Sequence, residues 1–390
     1  MVDSLQSKVG NQLQRQGTEK LKVMREKQKS NRITILLLVS LLQMGVSALL
    51  LNNLSMDGWS AVYAEDSKGY LLAARFFLGE EIPFSSLSLL KYRLFSPVIP
   101  FMASLTARFL SLEYSFLFLN FCFWLLSVYL LYGFSKNLLD ERLAYYCTLL
   151  FTTSLPMIIW GLPVMVDMAA FFFALLNCWL ITRLLSDRSP RYMVVAVTLP
   201  LAILTKPNLT SLLLFFMLYA IFQRRHSRIL PVVFITFILV GVVYLGLGLG
   251  VEEFVAYGYL RHQGFFYVVN ALLFCFHWGF PLAVWGYFSG KGQRDFYLTY
   301  LISTFGGYLL FVHNPRLLFI IYPAVLPLVV RGMEACAHRI AERWQQKPER
   351  TVTALVFGYM LTSNVLTLLY LFITRTLQYR SIGSLKHLLN

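Results

Sequence analysis

An all-α, multi-pass transmembrane architecture follows from three features of this 390-residue sequence. Hydrophobic residues make up 57% of it and charged residues only 14%, with a mean hydropathy of +0.62, a composition suited to lipid as solvent. Apolar runs recur along the chain, about eleven of them long enough to cross ~30 Å of hydrocarbon as helices. The surplus of basic residues, +15 in formal charge, gathers in the short connections on one side, as the positive-inside rule requires. Nucleic-acid binding, the usual meaning of such a charge in a soluble protein, is thereby set aside.

Residues 1–32 alternate Lys, Arg, Gln and Glu with few apolar positions and read as a basic cytoplasmic tail near anionic headgroups. Ile33 to Asn52 form the first crossing, which stays as an anchor because no small-residue cleavage site follows it. The first outer loop, residues 53–112, is expected to hold amphipathic surface helices and an embedded segment. From 66 to 79, helical spacing puts Asp66, Tyr70, Ala73 and Phe77 on one stripe and turns Lys68 and Arg75 away, the pattern of a helix lying along the membrane surface. Residues 94–110 are apolar but contain Pro97, Pro100 and Arg108, and a full crossing there would invert every later loop. With that piece embedded or re-entrant, segments 1–32, 135–142, 183–192, 223–228, 289–295 and 331–350 lie inside and hold 23 of the 34 Lys and Arg.

The remaining crossings fall at about 115–134, 143–161, 168–184, 229–250, 266–288, 296–312, 317–330 and 351–373. Lys206-Pro207 splits the run 193–222 into two short helices meeting at a turn. One transmembrane domain therefore spans 33–373, with residues 374–390 as a short tail. Five cysteines form no CxxC pair and stand with no His at zinc spacing, so neither a disulfide framework nor a structural zinc site is indicated. The run Gly246-Leu-Gly-Leu-Gly250 lacks the strand-then-helix setting of a dinucleotide loop and reads as a helix end.

Acidic residues are scarce, 19 in all, yet Asp57, Glu65, Asp66 and Glu80 fall within residues 57–80. The topology brings this stretch to one face with Arg93, Asp167, Lys206, Arg261, His262, His313, Asn314 and Arg316. Ionisable groups at a membrane boundary are costly and serve ions or substrates when retained. Structural readings stand beside each. Asp66 and Asp167 are good helix caps, Lys206 can snorkel to the interface, Arg316 can anchor there, and His313 reads as a loop histidine. Asn53-Leu-Ser and Asn208-Leu-Thr match the glycosylation pattern, a triplet common by chance. No Ser/His/Asp set, Walker loop or haem motif appears.

Five stretches in order resemble the GT-C superfamily of polyprenyl-phosphate-dependent glycosyltransferases, which includes protein mannosyltransferases and lipid A aminoarabinose transferases. They are AEDSKGYLLAARFFLGE in the first outer loop, KYRLFSPVIPFMASL after it, VDMAAFFFALL from Val166, LTKPN at 204–208, and HNPRLLFIIYPAVLPL from His313. The resemblance implies transfer of one sugar from a polyprenyl-phosphate-linked donor to a lipid, glycan or protein acceptor, with inversion. Asp66 looks like the first-loop general base, although many members pair Asp-Glu where this chain has Glu65-Asp66, which leaves the choice between the two open. Asp167 is similar to a second acid that positions the acceptor, or a metal where one is used. Arg316, Lys206, Arg93 and His313 look like donor-phosphate ligands, and Tyr70, Asn314, Arg261 and His262 are expected to line the acceptor and sugar pocket.

These readings fix no cofactor, and the resemblance leaves room for a divalent cation, Mg or Mn, at Asp66 and Asp167. The expected location is the plasma membrane of a bacterium or archaeon rather than the endoplasmic reticulum, with the site outside the cytoplasm. A secondary transporter or lipid flippase, or a non-catalytic assembly subunit of the same fold, are the rival readings. The transporter predicts two similar halves with ionisable groups at mid-membrane depth, and no internal repeat is apparent.

Overall fold

A computed structural model of the chain describes residues 31–46, 66–186, 192–223, 230–250, 252, 276–290, 294–310 and 320–389. Among them are fifteen α-helices and no strand. In chain order they are α1 (Asn31–Val46), α2 (Ser67–Phe77), α3 (Leu87–Arg93), α4 (Val98–Thr106), α5 (Leu112–Leu138), α6 (Glu141–Thr152), α7 (Leu155–Gly161), α8 (Asp167–Ser186), α9 (Tyr192–Thr205), α10 (Ser211–Phe222), α11 (Leu230–Gly246), α12 (Gly279–Ser289), α13 (Arg294–Leu310), α14 (Tyr322–Trp344) and α15 (Pro348–Leu389). Three segments, Leu112–Leu138, Asp167–Leu184 and Pro348–Leu369, are by themselves long and apolar enough to cross a membrane.

Caps and prolines set the boundaries. Ser111 accepts from the Tyr114 amide to start α5, and Asp140 accepts from the Leu143 amide at 2.8 Å to start α6. The expected crossing at 143–161 is in fact two helices, α6 and α7. Pro156 near the start of α7 cannot continue the ladder of α6, and the Leu155 amide donates instead to Asn364 Oδ1 of α15 at 3.0 Å. Within residues 94–110 the helix is α4, whose nine residues extend only about 14 Å at 1.5 Å per residue.

Two expectations change. The amphipathic helix predicted to lie on the membrane surface is present as α2, and Lys68 and Arg75 are exposed as the periodicity required. Its apolar stripe is turned onto protein rather than lipid. Ala73 packs with Leu90, Leu94, Phe95 and Leu249, and Phe77 meets Phe101 of α4 edge-on at 5.5 Å. Periodicity fixes which face is buried but not what covers it. The predicted tail 374–390 is also helical to Leu389, as a continuation of α15.

The core centres on Trp124, Phe151 and Phe171 from α5, α6 and α8, with ring centroids 5.0 and 4.8 Å apart in two stacked pairs. Trp124 Nε1 donates to Ser40, tying α1 to this core. At one end of the bundle Arg32 and Lys136 meet Glu141 at 3.7 and 3.4 Å. There Arg142 also reaches Glu334 and Glu349 at 3.5 and 3.4 Å. These contacts join the ends of α1, α5, α6 and α15 to the middle of α14. Because α1, α5, α8 and α9 all run between this end and the other, Asp66, Arg93, Asp167 and Lys206 lie together at the opposite one.

Helices α12 and α14 approach most closely at Gly286 and Gly332. A Cβ at Gly332 would strike the Leu282 carbonyl, and one at Gly286 the Leu328 carbonyl. Small residues allow such an approach where packing rather than hydrophobicity joins helices in lipid. Gly332→Val is expected to separate the two helices and cost about 1–3 kcal/mol or more as an overpacked contact, read as a lowered thermal midpoint of the solubilised protein. An unchanged midpoint would contradict the contact.

Candidate active site

Asp66 stands immediately before α2, where its carbonyl accepts from the amides of Gly69 and Tyr70. Its side chain makes no capping bond, so the plain helix-cap reading does not hold for it. Oδ1 instead accepts from Arg93 Nη2 at 2.5 Å, with side-chain exposures of 14% and 12%. The bond is charge-assisted, with both partners ionisable. Arg93 closes α3, and its guanidinium lies over Tyr70 at 5.0 Å and over Tyr92 at 5.1 Å. Gly69 makes room for it, since a Cβ there would fall 2.7 Å from Arg93 Cγ. Tyr70, expected in the acceptor pocket, is buried beneath the guanidinium.

Asp167 begins α8 and is 2% exposed, while Lys206 is 6% exposed. Lys206 Nζ donates to Asp167 Oδ1. Each partner is placed by its backbone. The turn before Asp167 is pinned by Asn120 of α5, whose Nδ2 donates to the carbonyls of Pro163 and Met165 at 2.6 and 3.1 Å. Lys206 is extended, with φ −157° and ψ 118°, between α9 and the 3-10 turn Pro207–Thr210, because Pro207 ends the α9 ladder. The expected break at Lys206-Pro207 is therefore present, and Lys206 does not snorkel outward but turns in. Among the described residues Asp167 Oδ2, Arg93 Nε and both ends of the Asn208 amide have no hydrogen-bond partner. Asn208 is buried, so its sequon is not a surface acceptor in the folded chain.

A groove of about 370 Å³ opens beside these pairs, walled by α9, α10 and α11 and lined almost wholly by apolar side chains. Phe95, two residues past Arg93, lines it together with Ile203 and Thr210, which flank Lys206 in sequence. It continues along Thr236, Val240 and Gly241 of α11. Tyr244 fixes its upper wall by donating to the Phe95 carbonyl at 3.0 Å and packing edge-on against the Phe95 ring.

The structure thus pairs Asp66 with Arg93 and Asp167 with Lys206, and Tyr70 accompanies the first pair. Glu65, Arg261, His262, His313, Asn314 and Arg316 lie outside the described residues. No group of three His, Cys, Asp or Glu is arranged to hold a metal among the described residues. Asp66 and Asp167 each face a cation instead. No step is assigned to a divalent ion. Sequence reasoning overlooked Asn120 and took Asn208 only as part of a sequon and of the LTKPN stretch. The available signal was an amide inside an otherwise apolar run, which needs buried partners.

The chain, an all-α bundle with carboxylates, cations and an apolar groove toward one end, has the GT-C fold. Residues 95–246 match the family described as dolichyl-phosphate-mannose-protein mannosyltransferase, a span that includes Asp167, Lys206 and most of the groove but starts just after Arg93. Among solved structures the chain is similar to the apo crystal structure of ArnT from Cupriavidus metallidurans, with 13% sequence identity and a TM-score of 0.55. The similarity covers 86% of this chain and 71% of that one. No curated protein matches the chain.

Proposed function

We propose that the protein is a membrane glycosyltransferase that moves one sugar from a polyprenyl-phosphate donor to a hydroxyl or amine of a lipid, glycan or protein acceptor on the non-cytoplasmic face. The observation that carries this reading is an apolar groove lined by Phe95, Ile203 and Thr210, which stand two to four residues along the chain from Arg93 and Lys206, so that a hydrocarbon tail in it would bring its phosphate toward two cations. The acceptor oxygen or nitrogen attacks the anomeric carbon, the bond from that carbon to the phosphate oxygen breaks, and polyprenyl phosphate leaves with the electron pair. The acceptor proton passes to Asp66, and Arg93 and Lys206 stabilise the charge growing on the phosphate. One displacement inverts the anomeric carbon. Asp167, bonded to Lys206, sets where that ammonium stands before the phosphate arrives.

The test is transfer from radiolabelled polyprenyl-phosphate sugars by the protein reconstituted in lipid, with donor consumption and product configuration measured. No consumption of any such donor would overturn the reading. The groove gives a sharper form of the same test. A Cβ at Gly241 meets nothing within 4 Å, so Gly241→Phe fills the groove without disturbing α11. It is expected to raise the donor KM about tenfold or more, as loss of a buried tail contact does, while kcat and folded yield hold. An unchanged donor KM would remove the tail from this groove.

A further inference from the structure

We propose that Asp66 and Asp167 act as internal stand-ins for the donor phosphate, holding Arg93 and Lys206 until the donor takes those cations and frees the base. The inference rests on the donor reading above and adds to it an order of events. Its ground is the pairing itself. Each carboxylate proposed for the chemistry is bonded directly to a cation proposed for the phosphate, and both pairs are largely removed from solvent. An entering phosphate therefore meets two neutral pairs rather than a doubly positive site.

Two physical arguments require the pairs to open. Asp66 Oδ1 is occupied by the charge-assisted bond from Arg93, so that oxygen is not open to an acceptor proton while Arg93 keeps it. A phosphate and a carboxylate on the same buried cation also repel one another at close range. Exchange avoids both difficulties without leaving a cation bare in the interior, because Arg93 and Lys206 pass from one anion to another. The unbonded Arg93 Nε and Asp167 Oδ2 show that neither pair is fully satisfied as it stands. Donor binding and release of the base then form one event. An acceptor arriving first meets a capped Asp66, and Asp66 is not available to activate water in the absence of donor.

The experiment measures the affinity of a polyprenyl monophosphate for the full-length protein in nanodiscs, as wild type, Asp66→Asn and Asp167→Asn. Removing the competing charge is expected to tighten binding about tenfold in each variant, within the usual range of coupling between two linked sites, even though transfer is lost. A merely structural carboxylate would give unchanged or weaker binding, and that result in Asp66→Asn would overturn the exchange. Should Asp167→Asn fail to fold, Asp66→Asn carries the test alone, since its pair is the less deeply buried. The two readings fail differently: no binding by the wild type overturns the donor assignment and this proposal with it, whereas wild-type binding without tightening overturns the exchange only. Initial-rate kinetics supply a second measure, with donor required before acceptor as the expected pattern and random addition as the contrary one.

Discussion

Asp66→Asn is expected to lower kcat by about 10²–10⁴-fold, the usual contribution of a positioned general base, while the folded yield stays near wild type. The substitution is nearly isosteric and keeps an oxygen toward Arg93, so the cation-π contacts with Tyr70 and Tyr92 are retained. Only the capacity to accept a proton disappears. The donor KM should fall or hold rather than rise, which separates this outcome from simple damage to the phosphate site. Steady-state transfer assays on reconstituted protein decide it. Full activity in Asp66→Asn would pass the role of base to another group, with Glu65 the first to test. The mirror substitution, Arg93→Gln, is expected to act on donor binding instead, since the guanidinium is assigned to the phosphate.

The helices were legible because each is a local consequence of apolar run length, capping and proline. Lys206-Pro207 marks a break that appears as expected, and Ser111 and Asp140 cap α5 and α6 by the same local chemistry. Three of the basic segments, 1–32, 135–142 and 331–350, meet around Glu141 and Arg142. The partners of buried groups were not legible. Asp66 and Arg93 are 27 residues apart, and Asp167 and Lys206 are 39 apart. Placing four ionisable groups at one end of a bundle leaves open which carboxylate meets which cation. Asp167 opens α8 and Lys206 follows α9, so the deeply buried pair sits at helix ends. That position favours a site at one boundary over the midplane site that a transporter reading called for.

Burial of the Asp167–Lys206 pair predicts a large and asymmetric effect on stability. Side-chain exposures of 1% and 7% leave either charge without solvent if the other is removed. Lys206→Met or Asp167→Leu alone is therefore expected to cost about 3–5 kcal/mol, the penalty for an uncompensated buried charge. The double variant, Asp167→Leu with Lys206→Met, removes both charges and should recover most of that loss, because two apolar side chains satisfy each other where one apolar and one charged group do not. Thermal or denaturant unfolding of the solubilised protein measures all three variants in one cycle. Additive losses would mean that the two side chains do not interact. A recovered fold that remains inactive would assign the pair to the chemistry of the site rather than to the stability of the bundle, since hydrophobic replacements can hold α8 and α9 together but cannot bind a phosphate.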